Sequence, residues 1–223
     1  MIVSMWMTRE LITITPETPV ADAAELMSRR RIRRLLVVTP SSDGDRLAGV
    51  ITATDVLHAF PPDVNPFAAV RTFANRTRTL VSELVTAEPV TVAPDAPIEQ
   101  AATLMAERKI GALPVVREGR LVGLITESDI FRAFVSVLSA AHGGTRLTFE
   151  VGEDEDAFRF VAGISRKYDV RVASLVMSRQ HDSRVCVVRL EGAAVQKLVD
   201  ALWTSKHRVL NVVSLPAAEA SAS

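Results

Sequence analysis

A chain of 223 residues with 48% apolar side chains is long enough to bury one large core or two ordinary ones. Lys plus Arg and Asp plus Glu number 26 each, so no global field draws the protein towards nucleic acid or an acidic membrane surface. The only cysteine, Cys186, excludes an intrachain disulfide framework and a multi-cysteine metal site and fits a reducing compartment.

The opening MIVSMWMTRE lacks the basic region and long apolar run of a signal peptide, and no stretch approaches the ~20 apolar residues of a membrane span. The expected location is cytoplasmic. Internal repetition then organises the chain to about residue 138. At an offset of 78, residues 3–38 align with 81–116, and at an offset of 74, residues 47–60 align with 121–134, with 23 of 50 positions identical. That is too many for two cores that merely share a pattern.

Each repeat opens on a short apolar segment (2–7; 80–85) and a strand (11–15; 89–93) closed by Pro16 or Pro94. Pro19 and Pro97 are expected at the first helical position, where a missing N–H is harmless. Val20, Ala23, Ala24 and Met27, matched by Ile98, Ala101, Ala102 and Met105, keep the spacing of one buried helix face. Buried strands follow at 35–38 and 113–116, and hairpins turn through Asp43-Gly44, with four extra residues, and Glu118-Gly119. Each repeat closes on a seven-residue motif, GVITATD (49–55) or GLITESD (123–129). It reads as a glycine, a β-branched strand and a Thr-x-x-Asp that starts a helix, with Val56, Leu57 and Phe60, or Ile130, Phe131 and Phe134, following at helical spacing. The Thr-x-x-Asp is also a variant capping box, in which Thr52 or Thr126 accepts from a helix N–H and the carboxylate complements the helix dipole.

The repeats therefore span residues 1–60 and 80–138. Between them, 61–79 reads as a linker opened by Pro61-Pro62, with a short helix started at Asn65-Pro66. After the boundary His142-Gly143-Gly144 the pattern changes. A strand 146–151, a helix 156–168 with Phe158, Val161 and Ser165 on one side, strands 170–177 and 184–190, a helix 193–205 and a strand 208–215 give the order βαββαβ over 145–215. The tail 216–223 is small and polar and is expected to be disordered.

The Val3-Ser4 and Met7 start, the Pro-ended first strand, the LPVV strand at 113–116 and the G-h-I-T-x-x-D close resemble a tandem pair of CBS domains, a Bateman module. The fold class is accordingly α+β: a pseudo-twofold CBS pair of β-α-β-β-α units, followed by a domain that resembles an ACT-like domain of ferredoxin-like fold. The whole chain is similar to the acetoin-utilisation protein B family. The CBS resemblance implies clefts that bind adenosyl compounds such as AMP, ADP, ATP or S-adenosylmethionine, although some members bind nothing known.

A nucleotide needs apolar walls for its base, acceptors for ribose hydroxyls and cations or N–H donors for phosphate. The carboxylates of Asp55 and Asp129 can accept hydroxyl hydrogen bonds, with the Thr52 and Thr126 hydroxyls and the helix N-termini nearby. By resemblance, the base lies against Ile14 and Val92 of the first strands and against Ile32, Ile110 and Ala112 before the second strands. Arg33-Arg34 occupies the place where the nucleotide-sensing subunit of an energy-responsive kinase carries a phosphate-binding His-Arg pair, whereas the second repeat has Gly111-Ala112. The expectation is one phosphate-competent cleft using Arg33, Arg34, Thr52 and Asp55, and a second that is empty or takes an uncharged adenosyl group. A solvated helix C-terminus accounts for Arg29, Arg30 and Arg31 without any ligand.

In the ACT-like domain, the turn Gly152-Glu153-Asp154-Glu155-Asp156 lacks the Pro-Gly of amino-acid-binding members, and its carboxylates oppose an amino-acid carboxylate. Dimerisation or partner contact is favoured there. His58, His142, His181 and His207 form no metal or catalytic spacing, and there is no P-loop, so neither an enzyme, a metal site nor a required cofactor is expected. The reading is a homodimeric regulatory sensor of an adenosyl ligand, acting on the ACT-like domain or a protein partner, with neither nucleic acid nor membrane involved. The alternatives are a scaffold with vestigial clefts and an amino-acid sensor.

Overall fold

A computed structural model of the chain describes residues 1–60, 79–138, 144–180 and 183–215. The expected linker helix, the boundary residues His142 and Gly143 and the tail lie outside the described residues. The chain divides into two units, Met1–Phe131 and Arg132–Ser223.

In the first unit the helical period selects the buried face. On α1 (Val20–Arg30), Val20, Ala23, Ala24 and Met27 are at most 1% exposed. On α2 (Ala53–His58), Val56 is buried and Leu57 lies outward. α3 (Ile98–Arg108) repeats the pattern of α1, burying Ile98, Ala101 and Met105. α4 (Glu127–Leu138) begins in this unit and continues past its end at Phe131; along it Ile130 and Ala133 are buried but Phe131 and Phe134 are exposed, against the expectation that they join the apolar face. Pro19 and Pro97 sit one place earlier than expected, as N-caps with extended ψ of 138° and 140°. The Pro19 carbonyl still accepts the first helical N–H bonds, from Asp22 and Ala23, so capping needs no N–H of its own.

Four strands build the sheet of the first repeat: β1 (Thr13–Ile14) parallel to β2 (Arg34–Thr39), then β3 (Arg46–Thr52), then β4 (Thr86–Ala87). In the second repeat, β5 (Ala112–Arg117) and β6 (Arg120–Thr126) form the hairpin, flanked by single bridges at Val92↔Val115 and Thr8↔Leu124. The expected first strands are thus much shorter than their apolar runs. Beyond Ile14, the Thr15 N–H turns to the Thr18 hydroxyl, and Pro16 has no N–H to offer the ladder. At Glu118-Gly119 both φ angles are positive, 51° and 78°, which makes a two-residue primed turn.

The apolar segment that opens each repeat does not pack on its own repeat. Val3 N–H donates to Ala96 O and Ser4 N–H to Pro94 O, while Val81 N–H donates to Thr18 O and Ser82 N–H to Pro16 O. Each head thus lies on the helix entrance of the other repeat, and Val81 is built into the core of Ile14, Met27, Leu35, Val37, Ile51 and Val56. This exchange explains the motif glycines. A β-carbon on Gly49 would stand 2.3 Å from Val85 Cγ2 and 2.6 Å from Thr86 O, and one on Gly123 would stand 2.4 Å from Met7 Sδ. The other repeat's head crosses each strand there, closer than any side chain allows.

The second unit follows the order βαββαβ: β7 (Gly144–Val151), α5 (Ala157–Tyr168), β8 (Arg171–Gln180), β9 (Ser183–Glu191), α6 (Val195–Trp203) and β10 (Val209–Leu215). Its antiparallel sheet has the order β10-β7-β9-β8. α6 buries Val195, Leu198, Val199 and Leu202 as its spacing requires. On α5 the buried face is centred elsewhere than expected: Ala157, Val161 and Ser165 face the core, and Phe158 is 66% exposed. Cys186 is an ordinary core residue of β9, and burial pushes its thiol up to about 11.

Candidate functional site

Both Thr-x-x-Asp motifs close as capping boxes. Asp55 Oδ2 accepts from the Thr52 N–H and hydroxyl, each at 2.7 Å, and the Asp55 N–H reaches Thr52 Oγ1 at 3.3 Å. Asp129 and Thr126 repeat these three bonds with the same lengths, and Asp129 is only 2% exposed. The capping alternative is therefore realised in both repeats, a contribution of about 1 kcal/mol each. Ile14 and Val92 belong to the cores, at 8% and 5% exposure. Asp55, Asp129, Ile14 and Val92 are not among the residues lining the two clefts described next, whereas Arg33, Arg34, Thr52, Thr126, Ile32, Ile110 and Ala112 are.

Two neighbouring clefts of the first unit, among the described residues, hold these side chains. One, of about 620 Å³, is lined by Thr52, Ala53 and Thr54, by Pro89 and Val90, by Lys109, Ile110, Gly111 and Ala112, and by Arg33 and Arg34. The other, of about 460 Å³, has Thr126, Glu127 and Ser128, Leu11 and Ile12, and Arg31, Ile32, Arg33 and Arg34. Both volumes are in the ~300–1,000 Å³ range of small-molecule sites. The walls pair crosswise. Thr52 faces Ile110 and Ala112 of the second repeat, and Thr126 faces Ile32 of the first, because each exchanged head brings the first strand of one repeat to the motif of the other. The arginine pair reaches both clefts rather than one.

Some lining residues were not singled out by sequence. Arg31 and Lys109 cap α1 and α3 in the left-handed conformation, with φ of 54° and 53°, where glycine is usual. Each lines one cleft with a cation, so Arg31 is not merely part of a solvated helix end. The signal was present, since both residues stand where a helix stops at the same repeat position. Glu127 lines both clefts and had no such signal, its counterpart being Ala53.

Burial pushes the Arg34 guanidinium below its ordinary value, repulsion from Arg33 adds to this, and Glu127 opposes it. Arg34 remains a cation at neutral pH, partly stripped of water, and so suited to an anion. Gly111 leaves the room this needs: a β-carbon there would stand 3.0 Å from Glu127 Oε2 and 3.1 Å from Arg34 Nη2.

In the second unit, the acidic turn borders a cavity of about 640 Å³ with Arg159, Phe160 and Lys206. Its carboxylates are largely occupied. Glu153 pairs with Arg179 at 2.8 Å, Asp156 caps α5 through the Arg159 N–H, and Glu155 meets His207 Nε2 at 2.9 Å. His207 lies against Phe160 with ring centroids 4.2 Å apart, and its Nδ1 is 3.0 Å from Ser205 Oγ. This Ser-His-Glu line is structural, since Ser205 Oγ donates to Leu202 O at 2.7 Å and neither Ser205 nor His207 lines the cavity. Among the described residues no cluster of His, Cys, Asp and Glu could hold a metal ion.

Burial pushes the Glu155 carboxyl up, but the hydrogen bond and charge of His207, with Lys206 and a backbone bond at Gly152, outweigh it and hold the group below its ordinary 4.5. A depressed carboxyl contributes stability that is complete above the unfolded value and lost as pH falls through the lower folded one. Urea titrations from about pH 5 downwards should therefore show a shallower acid loss for Glu155→Gln than for wild type. Equal slopes would show that the His207 contact carries no such linkage.

The CBS domain family model matches residues 3–62 and 81–136. An inosine-5'-monophosphate dehydrogenase from Korarchaeum cryptofilum is 36% identical over 124 residues, which is 55% of this chain and 22% of that enzyme. The chain thus spans less than a quarter of that relative. Among solved structures, AcuB from Vibrio cholerae, named for acetoin utilization, is 29% identical with a TM-score of 0.51, covering 62% of this chain and 93% of that one. CBSX2, a protein of Arabidopsis thaliana, was solved in complex with AMP; that structure is 29% identical with a TM-score of 0.51, covering 62% of this chain and 98% of that one. No helix among the described residues is long and apolar enough to cross a membrane.

Proposed function

Since the chain belongs to the CBS-domain family and carries the pair as a Bateman module, we propose that it is a non-catalytic regulatory protein that binds a phosphorylated adenosyl nucleotide between its repeats. The observation that carries this reading is the half-buried Arg34, with Arg33, at the meeting of two clefts that each add apolar residues, a threonine at a helix start and a further cation, Lys109 or Arg31, with Glu127 the carboxylate common to both. The base lies against Ile110 and Ala112, or Ile32; the phosphate meets the arginines; Thr52 or Thr126 with its helix N-terminus serves the ribose-phosphate. Asp55 and Asp129 hold these threonines, and any contact to ribose adds to that duty. CBSX2, which binds AMP, supports the ligand class. S-adenosylmethionine, with a single carboxylate in place of phosphate, makes less use of the paired arginines and is the weaker candidate. The βαββαβ unit serves as an ACT-like relay or homodimer contact, through which ligand binding reaches a protein partner. Such coupling requires the ligand to favour one arrangement of the chain over another.

Calorimetry of nucleotide-free protein with AMP, ADP, ATP and S-adenosylmethionine tests this. AMP should bind, and Arg34→Ala should weaken it by about 10- to 100-fold, the worth of one charge-assisted bidentate contact. Absence of binding by folded protein at millimolar ligand would leave a dimerisation or scaffold protein with vestigial clefts.

A further inference from the structure

The two clefts have a common centre. Arg33, Arg34, Leu36, Gly111, Leu124 and Glu127 line both. The outer walls are copies of each other, Arg31 answering Lys109 and Thr126 answering Thr52, so each cleft has its own threonine and its own cation. The centre is not copied. Its guanidinium groups come from the first repeat, where the second has Gly111-Ala112, and its carboxylate comes from the second, where the first has Ala53. Glu127 Oε2 and Arg34 Nη2 both crowd the space above Gly111, within 3.0 Å and 3.1 Å of where a β-carbon would stand.

We infer that Arg34 is one phosphate contact serving two clefts, with Glu127 as its resident counter-anion, so that phosphorylated nucleotides occupy the pair one at a time. This rests on the nucleotide reading above. Glu127 attracts the Arg34 guanidinium only through charge, so its donors are open to a phosphate entering from either side, which then outcompetes that attraction. A second phosphate arriving from the other cleft finds Arg34 engaged and faces both the first phosphate and Glu127 at short range in a partly desolvated site, where like charges are poorly screened. An uncharged adenosyl ligand such as adenosine makes no demand on the centre and can fill both clefts. The asymmetry between repeats thus selects by ligand charge rather than by making one cleft inert.

Calorimetry of the full nucleotide-free chain with adenosine and with AMP tests this. Adenosine should bind twice per chain and AMP once. Glu127→Gln should raise the ratio of AMP to adenosine affinity about tenfold, and Arg34→Gln should lower that ratio by at least about tenfold without restoring a second AMP. Two AMP molecules per wild-type chain, a single adenosine per chain, or a ratio unmoved by Glu127→Gln would each overturn the inference while leaving nucleotide binding intact. If neither compound binds, the proposed function itself fails and the inference falls with it.

Discussion

Replacing Gly49 with alanine should destabilise the first unit by about 3 kcal/mol, although it adds one methyl group to a strand that would ordinarily welcome it. The added carbon meets the Thr86 carbonyl oxygen at 2.6 Å and Val85 Cγ2 at 2.3 Å, and the nearer-to-rigid of these is backbone held in the β3–β4 ladder by Val50↔Thr86 and Gly49↔Ala87. Relief requires the exchanged head to lift off the sheet. Gly123→Ala is the control. There the nearest atoms all belong to the Met7 side chain, which has three rotatable bonds and can swing aside, so the loss should stay under about 1.5 kcal/mol. Urea unfolding followed by a probe in the first unit reads both, and equal losses would mean that the head is held less firmly than its ladder implies.

The larger loss belongs to the second unit. Phe149→Ala should cost about 4 kcal/mol, at the level found for fully buried phenylalanines. Phe149 has no exposed surface and lies on β7, with its ring edge-on to Phe160 at 6.0 Å and to His207 at 5.7 Å. Removing it empties the space on which α5 and the His207–Glu155 contact both rest, and the surrounding sheet cannot collapse to fill it. Hydrogen exchange should report the loss on β7 and β9, the two strands that Phe149↔Cys186 joins. Unchanged protection there would show that the cavity is filled by rearrangement.

The elements of both units were legible because their periodicities are strong, and in the first unit they also occur in duplicate. Val20, Ala23, Ala24 and Met27 are buried as their spacing requires, and α6 likewise. What periodicity reports is that a face is buried, not what buries it. The apolar heads at 2–7 and 80–85 read as parts of their own repeats, because nothing local distinguishes packing on one copy from packing on its twin. The crosswise walls of the clefts follow from that exchange, and so were equally hidden. Phe158 illustrates a second limit: helical spacing grouped it with Val161 and Ser165, yet on α5 it stands about 100° around the helix from Ala157, and the smaller residue shares the buried face with them. The arginine pair was legible as an asymmetry between aligned repeats. Its reach into both clefts was not, and neither was Glu127, since an acidic residue in a first helical turn has a sufficient reason to be there in the dipole alone.

The exchanged heads also say something about ancestry. Neither repeat is a complete fold by itself: the first needs Val81 to close its core, and the second takes in Val3. A single ancestral repeat could satisfy this only as a pair of identical chains that traded heads, and joining the two end to end would turn a trade between molecules into one within a molecule without changing a contact. Fusion removes the constraint of identity. In a symmetric pair any arginine or glutamate at the meeting point appears twice, so a centre with its cations from one copy and its anion from the other can be written only into a fused chain.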